Sequence, residues 1–295
     1  LFYILYRAFP RIMQQEGFEY DNEREFARTY GVVRYDERFQ VSPGGQRGER
    51  IGSRREKFLP GISPIVFTKF LLENAVFLNL EDISDGLPDY EEIPIAIPMD
   101  QEMAKNYQEI QEEFAKHIRT GDNPGLGGTM LQTLSSYPDT PYNHPPITND
   151  DDDILFEIPD MPQENRAKEQ ELLRIVRERV SLGEKVLVYY HWTNRTDVEK
   201  RLPEMLEQEG FRTTVLKSNS SSMREREAWI AERTPQTDVL FCNPTLVETG
   251  LDLLDYTSIV FYQVGYDIFT MRQASKRSYR LNQKNNVRVY FLYYQ

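Results

Sequence analysis

The sequence contains a single cysteine, Cys242, among its 295 residues. One cysteine excludes an internal disulfide and a cysteine-based zinc site, and its place in the apolar run VLFC predicts a small packing residue. No apolar run approaches the roughly 18 residues that cross a bilayer, and no signal-peptide pattern is present. We therefore expect a cytoplasmic protein without a membrane partner. Because the chain opens on Leu1 inside an apolar pattern, we also expect a fragment of a longer protein.

Two motifs of nucleotide chemistry are missing as well. Nowhere does the sequence contain the Gly-x-x-x-x-Gly-Lys-Ser/Thr pattern of a phosphate-binding loop. The glycine-rich run GDNPGLGGTM lacks the Lys-Ser/Thr ending, so it predicts an ordinary loop. An Asp-Glu-x-His box, which would hold magnesium, is also absent, and the sequence predicts no metal ligands of its own.

Charge is unevenly distributed along the chain. A net charge of -12 argues against a protein that binds nucleic acid over its whole surface. Residues 161–295 are nearly balanced, however, so the acidity lies in the first half. From Met271 to Gln295 there is no acidic residue, and the basic ones are Arg272, Lys276, Arg277, Arg280, Lys284 and Arg288.

The sequence pattern predicts two different halves. Residues 1–150 read as a mostly helical accessory segment with a mobile loop near 40–58, where glycine and arginine replace apolar residues. A helix is expected to begin after Asp100 as its cap and to stop at Gly121. Residues 151–165 predict a linker. The apolar stripe of the expected helix consists of Met103, Tyr107, Ile110, Phe114 and Ile118.

Residues 166–295 alternate amphipathic helices with short apolar runs. The runs KVLVYY, TTVLK, DVLFC, SIVFYQV and VRVYFLYY are typical of buried parallel strands. This pattern predicts an α/β fold, doubly wound around a mainly parallel sheet. Such sheets bind ligands beyond the carboxyl ends of their strands, where turns such as HWTNR, KSNSSS and QVGYD are expected.

The segment QASKRSYRLNQ at 273–283 is the most specific pattern. Its spacing places Gln273, Arg277 and Arg280 on one face if the segment is helical. Two guanidinium groups on one face could stabilise the charge of a phosphoryl group in transfer. The alternative interpretation is a basic helix that only contacts nucleic-acid phosphates or solvent.

This segment resembles motif VI of the Swi/Snf-like superfamily-2 ATPases. ETGLDL at 248–253 resembles their motif V, and VLVYYHWTNR at 186–195 resembles their motif IV. Lys168 matches the lysine that precedes the motif IV strand in the family. Asn282 departs from the pattern, because many relatives have glycine there. The resemblance covers residues 166–295 strongly and residues 1–120 loosely.

The resemblance implies the second RecA-like motor lobe of an ATP-dependent helicase or translocase. It implies ATP and Mg²⁺, held mainly by a first lobe that we expect before residue 1, so the chain alone should be inactive. It also implies nucleic acid as a partner, and we favour DNA. The implied catalytic residues are Arg277, Arg280 and Gln273, the ATP-binding residues are Gly250 and Asp252, and the nucleic-acid contacts are Thr193, Asn194, Lys217, Asn219 and Asn243.

Two other classes remain as alternatives. One is a catalytically silent RecA-like module that binds a partner or nucleic acid. The joint presence of the two arginines with Gln273 and Asp252 counts against it. The other is a doubly wound nucleotide-sugar transferase, which gives no reason for paired arginines. Turnover measured on arginine variants separates the motor lobe from the silent module.

Overall fold

The computed structural model describes residues 1–40, 51–83, 86–120, 125–149, 152–164, 166–191, 198–247, 250–265 and 267–295. These residues group into two compact units, Leu1–Asn79 and Leu80–Gln295. No helix in the described ranges is long and apolar enough to cross a membrane.

The first unit combines three helices with a β-hairpin. The helices are α1 (Phe2–Ala8), α2 (Pro10–Gln15) and α3 (Glu23–Tyr30), and the hairpin pairs β1 (Gly31–Gln40) antiparallel with β2 (Ile51–Ile62). Its core is largely aromatic, with Phe2, Phe26, Tyr30 and Phe70 buried together. The predicted mobile loop near 40–58 is therefore wrong for residues 51–58, which form backbone hydrogen bonds with β1. Residues 41–50 lie outside the described ranges.

A six-stranded sheet forms the centre of the second unit. In chain order its elements are β3 (Tyr90–Ile97), α4 (Gln101–Thr120), α5 (Leu126–Ser136), β4 (Ile147–Thr148), β5 (Ile154–Phe156), α6 (Ala167–Ser181), β6 (Val186–Tyr189), α7 (Val198–Gln208), β7 (Thr213–Leu216), α8 (Arg226–Arg233), β8 (Val239–Cys242), β9 (Ser258–Phe261), α9 (Ile268–Ser275) and β10 (Val287–Tyr294). The strand order is β3-β10-β9-β6-β8-β7, and every described pairing in this sheet is parallel. The predicted doubly wound α/β fold is confirmed.

The two faces of the sheet have separate cores because side chains alternate along a strand. In β6, Val186 and Val188 point to one core, and Leu187 and Tyr189 point to the other. All four residues are fully buried. Helices α6 and α7 supply Leu172 and Leu202 among other residues to the first core, whereas α8 supplies Ile230 to the second. Both faces are therefore covered, as apolar parallel strands require.

The helical pair α4–α5 belongs to the same unit as the sheet. The Asp100 carboxylate accepts a hydrogen bond from the Met103 backbone N–H at 2.8 Å, so the predicted helix start is confirmed. Met103, Ile110 and Phe114 are buried, while Ile118 at the end of the stripe is exposed. The stripe packs against α5 and the residues that follow it.

The predicted division of the chain at residues 150 and 166 is not where the structure divides. Strand β3 joins the sheet beside β10, so residues 90–97 belong to the lobe. The predicted linker 151–165 contains strand β5, which pairs with β4, and Ile158 and Met161 are buried against α4 and α5. Apolar side chains within this proline-rich, acidic stretch explain the difference, since their burial fixes the segment.

Candidate nucleic-acid and nucleotide interface

Strand β6 is the point where the strand order of the sheet reverses. Strands β7 and β8 lie on one side of it, and β9 and β10 lie on the other. In open α/β sheets, ligands bind beyond the carboxyl ends of the strands at such a position. His191 lies two residues after the end of β6, at this reversal of the strand order.

A cleft of about 450 Å³ opens at the carboxyl ends of β6, β7 and β8. Lys217, Asn219 and Asn243, three of the predicted nucleic-acid contacts, line it together with Glu199. Thr193 and Asn194, the other two, lie outside the described residues. The structure thus brings together every predicted contact of this group that it describes.

Two of these side chains already have internal partners. The Lys217 ammonium forms an ion pair with Glu199. The Asn243 side-chain oxygen accepts hydrogen bonds from the N–H of Thr245 at 3.0 Å and from its hydroxyl at 2.7 Å, and so caps the turn that follows β8. Asn243 therefore shapes the cleft, and its predicted contact with nucleic acid stays a prediction. Asn219 is exposed.

The motif VI segment is not one continuous helix. Helix α9 ends at Ser275, so Gln273 lies on it, half-buried, and both arginines follow it. The predicted common helical face is wrong. Tertiary hydrogen bonds explain why: the Leu253 N–H donates to the Arg277 carbonyl at 3.1 Å, and the Ser278 hydroxyl donates to the Leu253 carbonyl at 2.9 Å. These bonds tie the segment to motif V, and the Arg277 N–H also donates to the Ala274 carbonyl at 3.3 Å.

The two arginines have different environments. Arg277 is 5% exposed, whereas the Arg280 side chain is 42% exposed and lies 3.5 Å from the Asp252 carboxylate, measured from Nε to Oδ1. Asp252 is itself 56% exposed. A nucleotide could reach Arg280 and Asp252 from solvent, but the predicted matched pair of arginines is reduced to one accessible guanidinium.

Glycine and asparagine support the backbone of these motifs. Gly250 has φ +71°, a left-handed conformation that side chains rarely adopt, and apart from its chain neighbours no atom of the described residues lies within 4 Å of where a Cβ would be. Its backbone is therefore open to a ligand. Asn282 has φ +75°, and asparagine is one of the few residues other than glycine that accept this region. Asn282 therefore adopts a backbone conformation that glycine also adopts readily.

Residues beyond the predicted set also shape the site. The side chain of Gln283, which closes motif VI, donates to the carbonyls of Leu254 and Ser278, both at 2.9 Å. Arg226 is buried and donates to the Leu246 carbonyl at 2.6 Å. Gln263 was missed, although it follows a buried strand as Asn243 does, and that position was the available signal.

His191 is packed into the sheet edge. A Cβ on Gly265 would lie 2.5 Å from Nε2 of the imidazole, so only glycine allows this approach. The Nε2 atom is buried without a hydrogen-bond partner among the described residues. Desolvation therefore lowers the pKa of His191, although Asp267 acts in the opposite direction.

Stability should decrease in mild acid because of His191 and His144. Burial lowers the pKa of both imidazoles in the folded state, while an unfolded histidine titrates near about 6.5. The unfolded chain then binds more protons below that pH, so the free energy of unfolding is fully retained above it and decreases as the pH falls through it. Urea denaturation between pH 8 and pH 5 measures this. The His144→Gln/His191→Gln double variant should show a smaller decrease than the wild type. An identical pH dependence in both proteins would contradict the assignment.

Comparison with known proteins identifies the domain. The family described as the helicase conserved C-terminal domain matches residues 167–282. Residues 167–282 form a helicase C-terminal domain. No curated protein sequence matches the chain.

Three solved structures share the fold of this helicase C-terminal domain and the segment before it. The C-terminal part of the Fun30 ATPase domain is 13% identical, with 71% of this chain and 86% of that chain covered and a TM-score of 0.54. The Sulfolobus solfataricus SWI2/SNF2 ATPase core domain is 18% identical (72% and 41% covered, TM-score 0.50). The Sulfolobus solfataricus core in complex with double-stranded DNA is 17% identical (78% and 46% covered, TM-score 0.50).

These likenesses confirm the expected RecA-like fold. They extend over more of the chain than the helicase C-terminal domain alone, which agrees with β3 and α4 being part of the lobe. The chain spans less than half the length of the two Sulfolobus structures.

Proposed function

We propose that this chain is the second motor lobe of an ATP-dependent DNA translocase or helicase of the cytoplasm. It contacts the DNA backbone through one cleft and acts on ATP through Arg280. The observation that carries the proposal is the convergence of Lys217, Asn219 and Asn243 at the switch point of a helicase C-terminal domain. One of the solved structures with this fold is a complex with double-stranded DNA.

The cleft suits phosphates better than bases. Besides Glu199, its polar lining consists of an ammonium, amides and hydroxyls at the mouths of strands, and these groups can donate hydrogen bonds to phosphate oxygens. Glu199 in the same cleft limits affinity, because its carboxylate competes with DNA for Lys217. We therefore propose weak binding that is independent of sequence.

The nucleotide side of the proposal rests on Arg280, Asp252 and Gly250. Arg280 would contact the terminal phosphates, Asp252 would orient its guanidinium or accept from a ribose, and Gly250 leaves room for the approach. Bound ATP supplies the phosphoryl group, and Arg280 would stabilise the charge that develops on it. The described residues contain no group of three or more His, Cys, Asp or Glu side chains that could bind a metal. We propose that magnesium binds mainly in a partner lobe of the same polypeptide.

One observation favours the silent binding module as a second candidate. The catalytic interpretation was based on both Arg277 and Arg280. Because Arg277 is buried, Arg280 is the one of the two that a nucleotide could reach. A catalytically silent RecA-like module could retain Arg277 for packing and keep the same fold. The hydrolysis measurements on Arg280 described below decide between the two candidates.

Changing Lys217 to glutamine should weaken duplex DNA binding and reduce its salt dependence. Each phosphate neutralised adds about 0.9 to the slope of log K against log salt, so loss of one contact should lower the slope by about one. Fluorescence anisotropy with duplex DNA at several salt concentrations measures both quantities. Glu199→Gln should have the opposite effect on affinity, because it removes the competing carboxylate.

Lys284→Gln provides the matched control for this experiment. Lys284 is an exposed lysine near the amino end of β10 and lines a different cleft, together with Asn285 and Arg288. Equal losses for Lys217→Gln and Lys284→Gln would show that binding follows overall charge and not the cleft. A strong preference for one DNA sequence would also contradict backbone contact.

A further inference from the structure

The pairing of β6 with its two neighbouring strands ends just before His191. Tyr189 is the last paired residue of β6, opposite Cys242 of β8 and Phe261 of β9. The Tyr190 N–H still donates to the Cys242 carbonyl at 3.3 Å. The N–H and the carbonyl of His191, which follow, bond to side chains instead. This change of partner falls at the reversal of the strand order, where open α/β sheets form a crevice.

Two side-chain amides take over from the strands at this place. The Gln263 side-chain oxygen accepts a hydrogen bond from the His191 N–H at 2.9 Å, and the Asn243 side-chain nitrogen donates to the His191 carbonyl at 3.3 Å. Gln263 follows β9 and Asn243 follows β8, the strands that flank β6. Because a primary amide offers the acceptor and donors that a peptide group offers, the two side chains continue the ladder by one residue on each side.

Asn243 joins the His191 backbone to the DNA cleft. Its side-chain oxygen is held by the N–H and the hydroxyl of Thr245, at 3.0 Å and 2.7 Å, while its nitrogen is held by the His191 carbonyl. Asn243 and Thr245 line the cleft together with Lys217. The orientation of the Asn243 amide in the cleft therefore depends on where the His191 carbonyl lies.

Gln263 itself lies outside the DNA cleft. It is 2% exposed and lines a separate cavity of about 200 Å³ at the carboxyl ends of β9 and β10, together with Leu292 and Tyr294. A nucleic acid in the cleft would meet Asn243 and Lys217, but it could not touch a side chain buried on the far side of β6. Any effect of Gln263 on binding must pass through the residues that it holds.

We propose that Gln263 is a positioning residue for the DNA-binding cleft and acts through the His191 backbone on the Asn243 amide. This inference rests on the proposed DNA-binding function of the cleft. The Gln263 oxygen fixes the N–H of His191, and the carbonyl of the same residue fixes Asn243. The amide is then already oriented before DNA arrives, so less free energy is spent on ordering it when DNA binds.

A purely structural role for Gln263 makes a different prediction. Loss of a buried hydrogen bond lowers stability wherever it occurs, and such a loss would add to the effect of any independent change in the cleft. A residue that acts through Asn243 should lose its effect once the Asn243 amide is gone. Non-additivity of the two substitutions is therefore the property that separates positioning from packing.

The first test measures hydrogen exchange of the His191 amide by NMR, on the whole chain without DNA. Gln263→Met removes the acceptor but keeps a long side chain that can be buried. We expect the His191 amide to exchange about fivefold to tenfold faster, the factor that corresponds to one hydrogen bond. Unchanged exchange in this variant would overturn the inference.

Asn106→Leu is the matched control. Asn106 is a buried amide on α4 that donates to the Tyr137 hydroxyl at 3.1 Å, and it does not line the cleft. Its replacement removes a buried side-chain amide, as Gln263→Met does, and should leave exchange at His191 unchanged. If exchange at His191 rises equally in both variants, it follows general stability and the positioning role is wrong.

The second test measures duplex DNA affinity by fluorescence anisotropy at low salt, for Gln263→Met, Asn243→Ala and the double variant. Gln263→Met should bind about fivefold more weakly than the wild type, within the range of one hydrogen bond. The same change should cost less than about twofold when Asn243 is already alanine, and Asn106→Leu should bind as the wild type does.

Each other outcome of the binding test has a definite meaning. Normal binding by Gln263→Met, or an equal loss in the wild-type and Asn243→Ala backgrounds, would overturn the inference. Absence of DNA binding by the wild type would instead overturn the proposed function, and the exchange measurement would still decide whether Gln263 fixes the His191 backbone.

Discussion

Replacing Arg280 by alanine should slow ATP hydrolysis about 10³-fold, the range of arginine residues that act on the transferred phosphoryl group. The measurement requires the parent protein that the sequence resemblance implies, with saturating DNA and ATP. Turnover should fall more than ATP affinity, since the guanidinium acts on charge that develops in the transition state. Lysine should restore little activity, because a point charge does not reproduce a planar donor.

Two other arginines serve as comparisons for Arg280. Arg272 is exposed on α9, so Arg272→Ala should leave turnover nearly unchanged. Arg277 is buried, so Arg277→Ala should lower stability, with turnover retained at temperatures where the variant is folded. The chain alone should show no hydrolysis and provides the blank. Normal turnover of Arg280→Ala at saturating DNA would favour the silent binding module.

The Phe241→Ala substitution should lower the free energy of unfolding by about 3–5 kcal/mol, the usual cost of removing a buried aromatic side chain. Phe241 is fully buried in β8, between β6 and β7, in one of the two cores of the sheet. Neither neighbouring strand can collapse into the space without breaking its own pairing. Urea denaturation monitored by circular dichroism measures the change.

Phe269→Ala is the control with the same chemical change. Phe269 is 66% exposed on α9, so its replacement should change the free energy of unfolding by no more than about 0.5 kcal/mol. A loss at Phe269 as large as that at Phe241 would mean that the exposed side chain is covered in solution. A small loss at Phe241 would mean that the sheet repacks around the cavity.

Local patterns predicted the regular elements well. The strands from β6 to β10 correspond to the apolar runs read from the sequence, and α4 starts where Asp100 predicted. These features depend on side-chain period and capping, which act over a few residues. The convergence of Lys217, Asn219 and Asn243 followed from the same reasoning, because carboxyl ends of parallel strands meet at one edge.

Features that depend on distant residues were not predicted. The spacing of Arg277 and Arg280 fits a helix, but α9 ends at Ser275 and hydrogen bonds join the residues that follow it to Leu253. The place of β3 in the sheet is set by its pairing with β10, and no local pattern specifies that partner. Asp139 stands in a proline-rich stretch, and no local pattern predicts its buried ion pair with Lys168, because that burial comes from the whole lobe.

The pairing of β3 with β10 also affects how the protein can fold during synthesis. Asp89, beside β3, is hydrogen-bonded to Asn286, which is 197 residues later. Contacts between such distant residues form slowly, because a long loop must close before they stabilise the chain. On the ribosome, β3 leaves the exit tunnel long before its partner strand exists. We expect mutual repulsion between the carboxylates of the segment around β3 to reduce association of the unpaired strand with other nascent chains.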